Sequence, residues 1–211
     1  MSGPAALIYV HGLWMTGAES MLLRRRLAAA HGYQTLTFRY ASVRKPLAAH
    51  IAALADAIAA VEAPQVHLVG HSLGGLVILR CLERYPVSRP GRVVFIGTPS
   101  VASQAVRHIG QWAWGRTILG ATVAEELLRQ PQRHWGPARE LGIIAGSSSM
   151  GLARLLVRFG EQNDGVIAVS ETRLPGAKQH LCLRASHSGM LFSARVARET
   201  GSFLEYGTFG R

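Results

Sequence analysis

The fold is decided by residues 66–75, VHLVGHSLGG, where an apolar run leads into a serine that lies between two glycines. The residues that follow have helical spacing, so Ser72 is expected at a corner between a strand and a helix. A serine on such a corner can reach a base and a carbonyl carbon, the two partners that a nucleophilic hydroxyl needs. Gly70 and Gly74 let the strand and the helix approach closely, because neither carries a Cβ atom. The stretch therefore predicts a nucleophilic serine; a glycine-rich loop with an incidental serine is the alternative.

Apolar, strand-like runs alternate along the chain with segments of helical period. The runs cover residues 5–10, 34–38, 66–69, 92–96, 141–145 and 180–184. Parallel strands need crossovers, which helices usually provide, so this alternation predicts an α/β fold with a mostly parallel sheet and helices on both faces. At 211 residues and 48% hydrophobic composition, one such sheet can be buried without disulfides or metals. We expect a single domain over residues 1–211.

A second turn, His11-Gly12-Leu13-Trp14, follows the first strand. In the expected sheet it lies beside the corner at Ser72, and its glycine lets backbone N–H groups face the space above the serine. We predict that the N–H groups of Leu13 and Leu73 form an oxyanion hole, the pair of donors that stabilises the tetrahedral intermediate of acyl transfer. His11 is expected to brace this turn. A turn without a chemical role would have the same sequence.

Candidates for a catalytic acid are few, because the chain has only two aspartates, Asp56 and Asp164. Asp56 lies in an Ala/Leu/Ile pattern of helical period ahead of the serine, which indicates a solvated helix position. Asp164 stands in an Asn-Asp-Gly turn downstream of the strand at 141–145, and we predict that it is the acid. The alternative is that it only forms the turn, as Asp-Gly pairs usually do. Glu161 and Glu171 are lesser candidates.

Nine histidines compete for the role of the base. A serine, acid, histidine order along the chain requires a histidine after the last strand. The small-residue loop behind residues 179–184 carries His187, which we predict to be the base. His180 is expected at an edge of that strand, and His71 beside the nucleophile. We interpret five others as surface or structural residues: His31, His50, His67, His108 and His134.

Further segments accompany these motifs: Ile96-Gly97-Thr98-Pro99 after the next strand, residues 163–170 (NDGVIAVS) and residues 186–190 (SHSGM). Together with the corner at Ser72 and the His11-Gly12 turn, they resemble the α/β-hydrolase superfamily over most of the chain. Within it, the segments are most similar to small bacterial lipases and esterases and to the GPI-inositol-deacylase-like branch. The resemblance implies the α/β-hydrolase fold with a minimal core. Relatives often carry a histidine after Gly-Thr-Pro, where this chain has Ser100.

Three of the four tryptophans, Trp112, Trp114 and Trp135, fall in residues 101–139, between two predicted strands. Apolar side chains in an insertion over a site can cover it and bind acyl chains, so we expect a small helical lid or cap. Packing of these residues on the sheet is the alternative. We predict four substrate-binding side chains: Trp14, His71, Trp112 and Trp114.

The formal net charge of +11 comes almost entirely from arginine, with Arg24-Arg25-Arg26 as its only run. The favoured interpretation is a solvated surface; a weak attraction to anionic lipid surfaces is the second, and specific nucleic-acid binding is not expected. Cys81 and Cys182 fall in regular elements and are expected to be buried, reduced thiols. Neither a metal-ligand spacing nor a phosphate-binding loop appears, so we expect no metal and no cofactor.

Neither a secretory signal nor an apolar run of membrane-spanning length is apparent, so a cytoplasmic location is expected. The sequence predicts a serine hydrolase that cleaves carboxylic esters, acting on a small-molecule ester or lipid through an acyl-enzyme on Ser72. An acyltransferase or a thioesterase with the same triad is the close alternative. From other classes, a non-catalytic binding member of the fold and a basic nucleic-acid-binding protein stay open.

Overall fold

A computed structural model describes residues 3–87, 89–101, 108, 110–112, 120, 133–149 and 160–210. Within these ranges, helices that are both long and apolar enough to cross a membrane do not occur. The expected lid over residues 101–139 lies mostly outside them, as does the side chain of Trp114.

The described strands form one six-stranded sheet in the order β2-β1-β3-β4-β5-β6, and every pairing is parallel. The strands are β1 (Ala6–Val10), β2 (Gln34–Phe38), β3 (Val66–His71), β4 (Val93–Ile96), β5 (Leu141–Gly146) and β6 (Gln179–Leu183). Each predicted strand is confirmed to within two residues. The four inner strands are buried along their whole length, as expected when helices cover both faces of a parallel sheet. Their carboxyl ends meet at one edge.

Helices cover both faces of this sheet. They are α1 (Met21–His31), α2 (Leu47–Ala59), α3 (Leu73–Arg84) and α4 (Ala194–Tyr206). The side chains of β1 alternate between the two resulting cores, because successive residues of a strand point to opposite faces. Leu7 and Tyr9 pack with α1 and α4, whereas Ile8 and Val10 pack with α2 and α3. Full burial of each large apolar side chain contributes about 1.5–3 kcal/mol to the free energy of unfolding. The two cores therefore stabilise the sheet, one edge of which carries the catalytic candidates.

The two cysteines differ in their surroundings. Cys81 on α3 is buried, as predicted, and burial raises the pKa of its thiol to about 12. The prediction for Cys182 is wrong, because this side chain is exposed. It lies on β6, an edge strand of the sheet, and an edge strand lacks the neighbour that buries an inner one.

His67 on β3 provides a pH-dependent contribution to stability. It is buried, its Nδ1 accepts the N–H of Arg92 at 3.0 Å, and burial followed by the charges of Arg92 and Arg139 lowers its pKa to about 4. Below pH 6.5 the unfolded chain binds a proton that the folded chain does not bind, so stability falls as the pH drops from about 6.5 to about 4. The slope for one such histidine is at most about 1.4 kcal/mol per pH unit.

We expect His67→Gln to flatten this slope in urea unfolding measured between neutral and mildly acidic pH. The absolute stability of the variant does not matter, because only its pH dependence is compared. The exposed His108 gives the matched control, His108→Gln. An unchanged slope in His67→Gln would contradict the assignment.

Candidate active site

Ser72 stands at the corner between β3 and α3 in a backbone conformation that is unusual for a residue with a side chain. Its φ is 52° and its ψ is −124°. Such strain costs about 1–3 kcal/mol and persists only where the surroundings impose it. Here the Ser72 N–H donates to the Ile96 carbonyl at 2.9 Å, and the Gly75 N–H donates to the Ser72 carbonyl. A Cβ atom on Gly70 would lie 2.6 Å from the Cα of Gly75, so the corner requires glycine there, as predicted. The side chain of Ser72 is partly exposed.

Asp164 and His187 meet at the same edge. Oδ2 of Asp164 lies 2.7 Å from Nδ1 of His187, and both side chains are buried. An ionised carboxylate only accepts hydrogen bonds, so Nδ1 carries the proton and Nε2 keeps a free lone pair. The loops are also joined through the backbone, because the His187 N–H donates to the Asp164 carbonyl at 2.8 Å.

The carboxylate of Asp164 stabilises the turn in which the residue lies, and the turn orients the carboxylate. Its Oδ1 accepts the N–H groups of Val166 and Ile167 at 2.9 and 2.7 Å, which closes the turn. Gly165 completes this turn at a φ of 94°. The two interpretations of the Asn-Asp-Gly sequence are therefore compatible: one oxygen forms the turn, and the turn aims the other at His187.

The competing acids lie elsewhere. Asp56 is exposed on α2, as predicted. Glu171 is buried, but its carboxylate accepts the Ala168 N–H at 2.9 Å. Glu161 is exposed and accepts the hydroxyl of Ser170. Among the acids placed within the described ranges, Asp164 is the one that pairs with His187.

Gly97 links the histidine to the serine corner. It follows Ile96, whose carbonyl binds the Ser72 N–H, and it has a φ of 59°. A Cβ atom at this position would lie 3.2 Å from both Cε1 and Nδ1 of His187. The imidazole of His187 therefore packs against the backbone of Gly97, the residue after Ile96, whose carbonyl accepts the Ser72 N–H. The backbone of Ile96 and Gly97 therefore lies against both Ser72 and His187, and Asp164 pairs with His187.

His71 supports this arrangement from beneath. Its ring lies 4.8 Å from the ring of His187, and its Nε2 is 3.2 Å from the His187 carbonyl, to which it donates. Burial first, and then the neighbouring charge of His187, lowers the pKa of His71 to about 3, so the ring is neutral. The side chain of His71 is fully buried, which favours a role in holding the loop of His187; its contact with substrate stays a prediction.

The His-Gly turn after β1 is held by a fixed imidazole. The Tyr40 N–H donates to Nε2 of His11 at 3.2 Å, so the proton is on Nδ1, which donates to the Gly12 carbonyl at 2.8 Å. In a trans peptide the carbonyl and the next N–H point in opposite directions, so this bond turns the Leu13 N–H away from the His11 ring. Burial lowers the pKa of His11, which keeps the ring in this neutral form. His11 braces the turn, as its sequence position indicated.

The second predicted donor lies at the start of α3. Leu73 is the first residue of that helix, and the first N–H groups of a helix have no acceptor within the helix. The Leu73 N–H follows directly on the strained Ser72. The oxyanion-hole role of Leu13 and Leu73 stays a prediction that this geometry supports.

A sequence model of the alpha/beta hydrolase family matches residues 7–199. The chain belongs to this family. A search of curated protein sequences finds no match.

Solved structures with the same hydrolase fold share little sequence with this chain. A Bacillus licheniformis lipase in its propeptide form superposes with a TM-score of 0.73 at 17% identity, covering 90% of this chain and 49% of the lipase. A metagenomic carboxyl esterase gives a TM-score of 0.68 at 19% identity, covering 89% of this chain and 65% of the esterase. For a thioesterase of the prodiginine pathway of Streptomyces coelicolor the values are 0.62 and 13%, with coverage of 96% and 86%. The chain therefore spans about half the length of the lipase.

Two of the predicted substrate-binding tryptophans can be placed. Trp14 follows the His-Gly turn and is 59% exposed, and Trp112 is 57% exposed. Trp114 lies outside the described residues. Trp135 is only 5% exposed, packs edge-on against Phe95 at 5.6 Å, and donates its indole N–H to the Arg139 carbonyl. For Trp135 the alternative of core packing is therefore correct.

Several supporting contacts could not be found from the sequence. The Tyr40 hydroxyl donates to the His11 carbonyl at 2.9 Å, and the Ser42 hydroxyl accepts the Trp14 N–H at 3.2 Å. Both residues follow β2, about thirty positions away from the turn that they hold. The Ser100 N–H donates to the Glu171 carbonyl at 2.6 Å. These contacts join separate connections of the sheet, so a local pattern does not reveal them.

Proposed function

We propose that this hydrolase cleaves carboxylic esters through a serine nucleophile. The observation that carries the proposal is the buried 2.7 Å pair between Asp164 and His187, beside a strained and partly exposed Ser72. Structural ion pairs also bury carboxylates, but they do not require a serine to adopt a φ of 52°. Strain and a buried acid–base pair at one edge are typical of a site under functional constraint.

The proposed reaction depends on the proton of the Asp164–His187 pair, which lies on Nδ1 of His187 and leaves Nε2 able to accept another. His187 Nε2 takes the proton of the Ser72 hydroxyl as its oxygen attacks the ester carbonyl. Asp164 orients the ring and stabilises the imidazolium that forms. The carbonyl oxygen becomes an oxyanion, which the N–H groups of Leu13 and Leu73 stabilise. His187 then gives its proton to the leaving alcohol, and the acyl group stays on Ser72.

Water completes the cycle by attacking the acyl-enzyme. His187 removes a proton from this water and returns it to the oxygen of Ser72, which releases the carboxylic acid. An alcohol or a thiol in place of water would give acyl transfer with the same residues. The acceptor therefore separates the ester hydrolase from the acyltransferase, and the leaving group separates both from a thioesterase.

The substrate class is proposed from the motifs and the relatives together. The segments around Gly97 and Asp164 resemble those of small bacterial lipases and esterases, and the similar solved structures include a lipase and a carboxyl esterase. We assign the chain to that type, with small-molecule or lipid esters as substrates. The GPI-inositol-deacylase-like branch stays a narrower hypothesis that rests on the same segments.

The experiment that tests this proposal is turnover of p-nitrophenyl esters from acetate to palmitate, with and without a simple alcohol. Release of nitrophenol with formation of the free acid is expected for a hydrolase. Ester exchange that exceeds hydrolysis would favour the transferase. A folded protein that neither turns over any ester nor reacts with a fluorophosphonate probe would be a binding member of the fold.

Trp112 is expected to affect the choice of acyl chain. If this exposed side chain contacts the substrate, Trp112→Ala should lower turnover of long-chain esters much more than turnover of acetate, because each buried methylene contributes about 0.8 kcal/mol. Trp135→Ala is the matched control on the core side, where we expect a loss of stability of about 3–5 kcal/mol. The measurements are the ester series and thermal melting. Equal loss on all esters in Trp112→Ala would contradict a pocket role.

A further inference from the structure

Exposed apolar side chains gather at the edge of the sheet that carries the candidate active site. Eight large ones are exposed within the described ranges, and five of these lie either in a loop just behind the carboxyl end of a strand or in the first turn of the helix that such a loop enters. We define these five as the apolar rim: Trp14, Met21, Leu22, Val101 and Phe192. Phe192 is 54% exposed and lies on the same connection as His187. The rim therefore lies at the same edge of the sheet as Ser72.

Contacts fix part of this rim in place. The guanidinium of Arg26 on α1 donates to the Phe192 carbonyl at 2.7 Å, which joins the first helix to the loop behind His187. The Trp14 N–H is held by the Ser42 hydroxyl. Exposed apolar groups next to one another usually mark a surface that another molecule covers.

Arginines surround the same edge. We define the arginine set as five exposed arginines that lie in loops behind strand ends or in the first two turns of the helices that follow: Arg25, Arg39, Arg44, Arg184 and Arg195. They come from both faces of the sheet, because α1 and α4 cover one face and α2 covers the other. The cations therefore form a border around the apolar rim and not a stripe along one helix.

Carboxylates near this edge are occupied. Asp164 and Glu171 are buried in the site, and Glu19 accepts the Gly17 N–H and the Tyr9 hydroxyl. Most ion pairs that the structure describes lie at helix ends and at the opposite edge. They are Arg80–Glu83, Arg92–Glu140, Lys178–Glu140 and His31–Glu205. Among the residues that the structure describes, the arginine set thus leaves an excess of positive charge around the rim.

We propose that this edge docks on the surface of a membrane that contains anionic phospholipids. The apolar rim enters the boundary between headgroups and acyl chains, and the arginine set faces the lipid phosphates. Apolar side chains flanked by cations are the combination that binds such surfaces, because both the hydrophobic and the electrostatic contributions are favourable. A nucleic acid would use the arginines alone and would leave the rim without a role. Docking would hold the opening to Ser72 against the lipid.

Docking goes beyond the proposed function, since it does not require catalysis. The test therefore uses Ser72→Ala protein, which leaves the lipids intact, in sedimentation with sucrose-loaded vesicles. Vesicles of phosphatidylcholine alone are compared with vesicles that also contain phosphatidylglycerol. We expect binding to the mixed vesicles that weakens as sodium chloride is raised, because salt screens exposed charges. Equal binding to both vesicle types, or binding to neither, would overturn the proposal.

Two variants of equal net charge separate the edge from the overall charge. Arg25→Glu with Arg44→Glu changes the arginine set, whereas Arg80→Glu with Arg84→Glu changes α3 near the opposite edge. One cation near an anionic surface contributes about fivefold to binding, so the first pair should weaken binding on the order of 25-fold or more. The second pair should leave it nearly unchanged. Equal loss in both pairs would show an effect of total charge and would overturn the proposal.

The apolar contribution has its own matched pair. Phe192→Ser should weaken vesicle binding severalfold, and Tyr85→Ser, an exposed aromatic at the far end of α3, should not. Circular dichroism checks that each variant is folded, and Arg39→Glu with Arg195→Glu replaces the first charge pair if that pair fails to fold. Retention of full vesicle binding in the rim and arginine-set variants would overturn the proposal. So would competition by duplex DNA that is insensitive to Phe192→Ser, which would assign a nucleic-acid partner.

Discussion

Ser72→Ala is expected to lower kcat for p-nitrophenyl acetate on the order of 10³-fold or more. The loss is this large because no other described group replaces the oxygen that attacks the carbonyl. Thermal stability should hardly change, since alanine has the same difficulty as serine with a φ of 52° and the corner stays imposed by β3 and α3. Steady-state kinetics and thermal melting of the two proteins give both results.

A matched control is available close by. Ser188 is exposed on the loop of His187, and Ser188→Ala removes a hydroxyl from the same edge. We expect its activity to equal that of the wild type. Wild-type activity in Ser72→Ala would contradict the assignment of Ser72 as the nucleophile and the acyl-enzyme that depends on it.

Asp164→Asn and His187→Ala should each lower the same kinetic step on the order of 10³-fold to 10⁴-fold. The asparagine can no longer bind Nδ1–H of His187 as a charged acceptor, so the tautomer that frees Nε2 loses its stabilisation. Combining either change with Ser72→Ala should add little, because the three residues act as one unit. Single and double variants are compared in kcat/KM on the same ester.

Asp56→Asn is the control for the acid. It changes the other aspartate of the chain, which is exposed on α2, and is expected to leave kcat/KM unchanged. If Asp56→Asn were inactive and Asp164→Asn were active, the assignment of Asp164 as the catalytic acid would be contradicted. Because Oδ1 of Asp164 also closes its turn, a melting curve must accompany the Asp164→Asn kinetics.

Strands and the placement of the candidate residues could be predicted from the sequence for a physical reason. Inner parallel strands must be apolar on both faces, so β1, β3 and β5 stand out as continuous apolar runs. The positions of Ser72, Asp164 and His187 follow from the same pattern, because each lies behind one strand and parallel strands end at one edge. The sequence was sufficient to predict these features because each depends on residues that are close together along the chain.

Properties that depend on neighbours across the sheet could not be predicted. Cys182 has the same local pattern as a buried residue, and only the place of β6 at the end of the sheet exposes it. Trp135 packs on Phe95 because β4 and β5 are adjacent, which the spacing of the two residues does not indicate. His71 is likewise buried by His187, a residue 116 positions away.

The parallel order of the strands has a consequence for the synthesis of the chain. Ser72 is made before His187 and the helix α4, which lie further along the chain, and the turn of Leu13 depends on Tyr40 behind an edge strand. Contacts this distant in sequence form late in folding. A partly synthesised or partly folded chain therefore presents a serine without its base. The proposed hydrolytic activity should appear only when α4 has packed, and so it should report that packing.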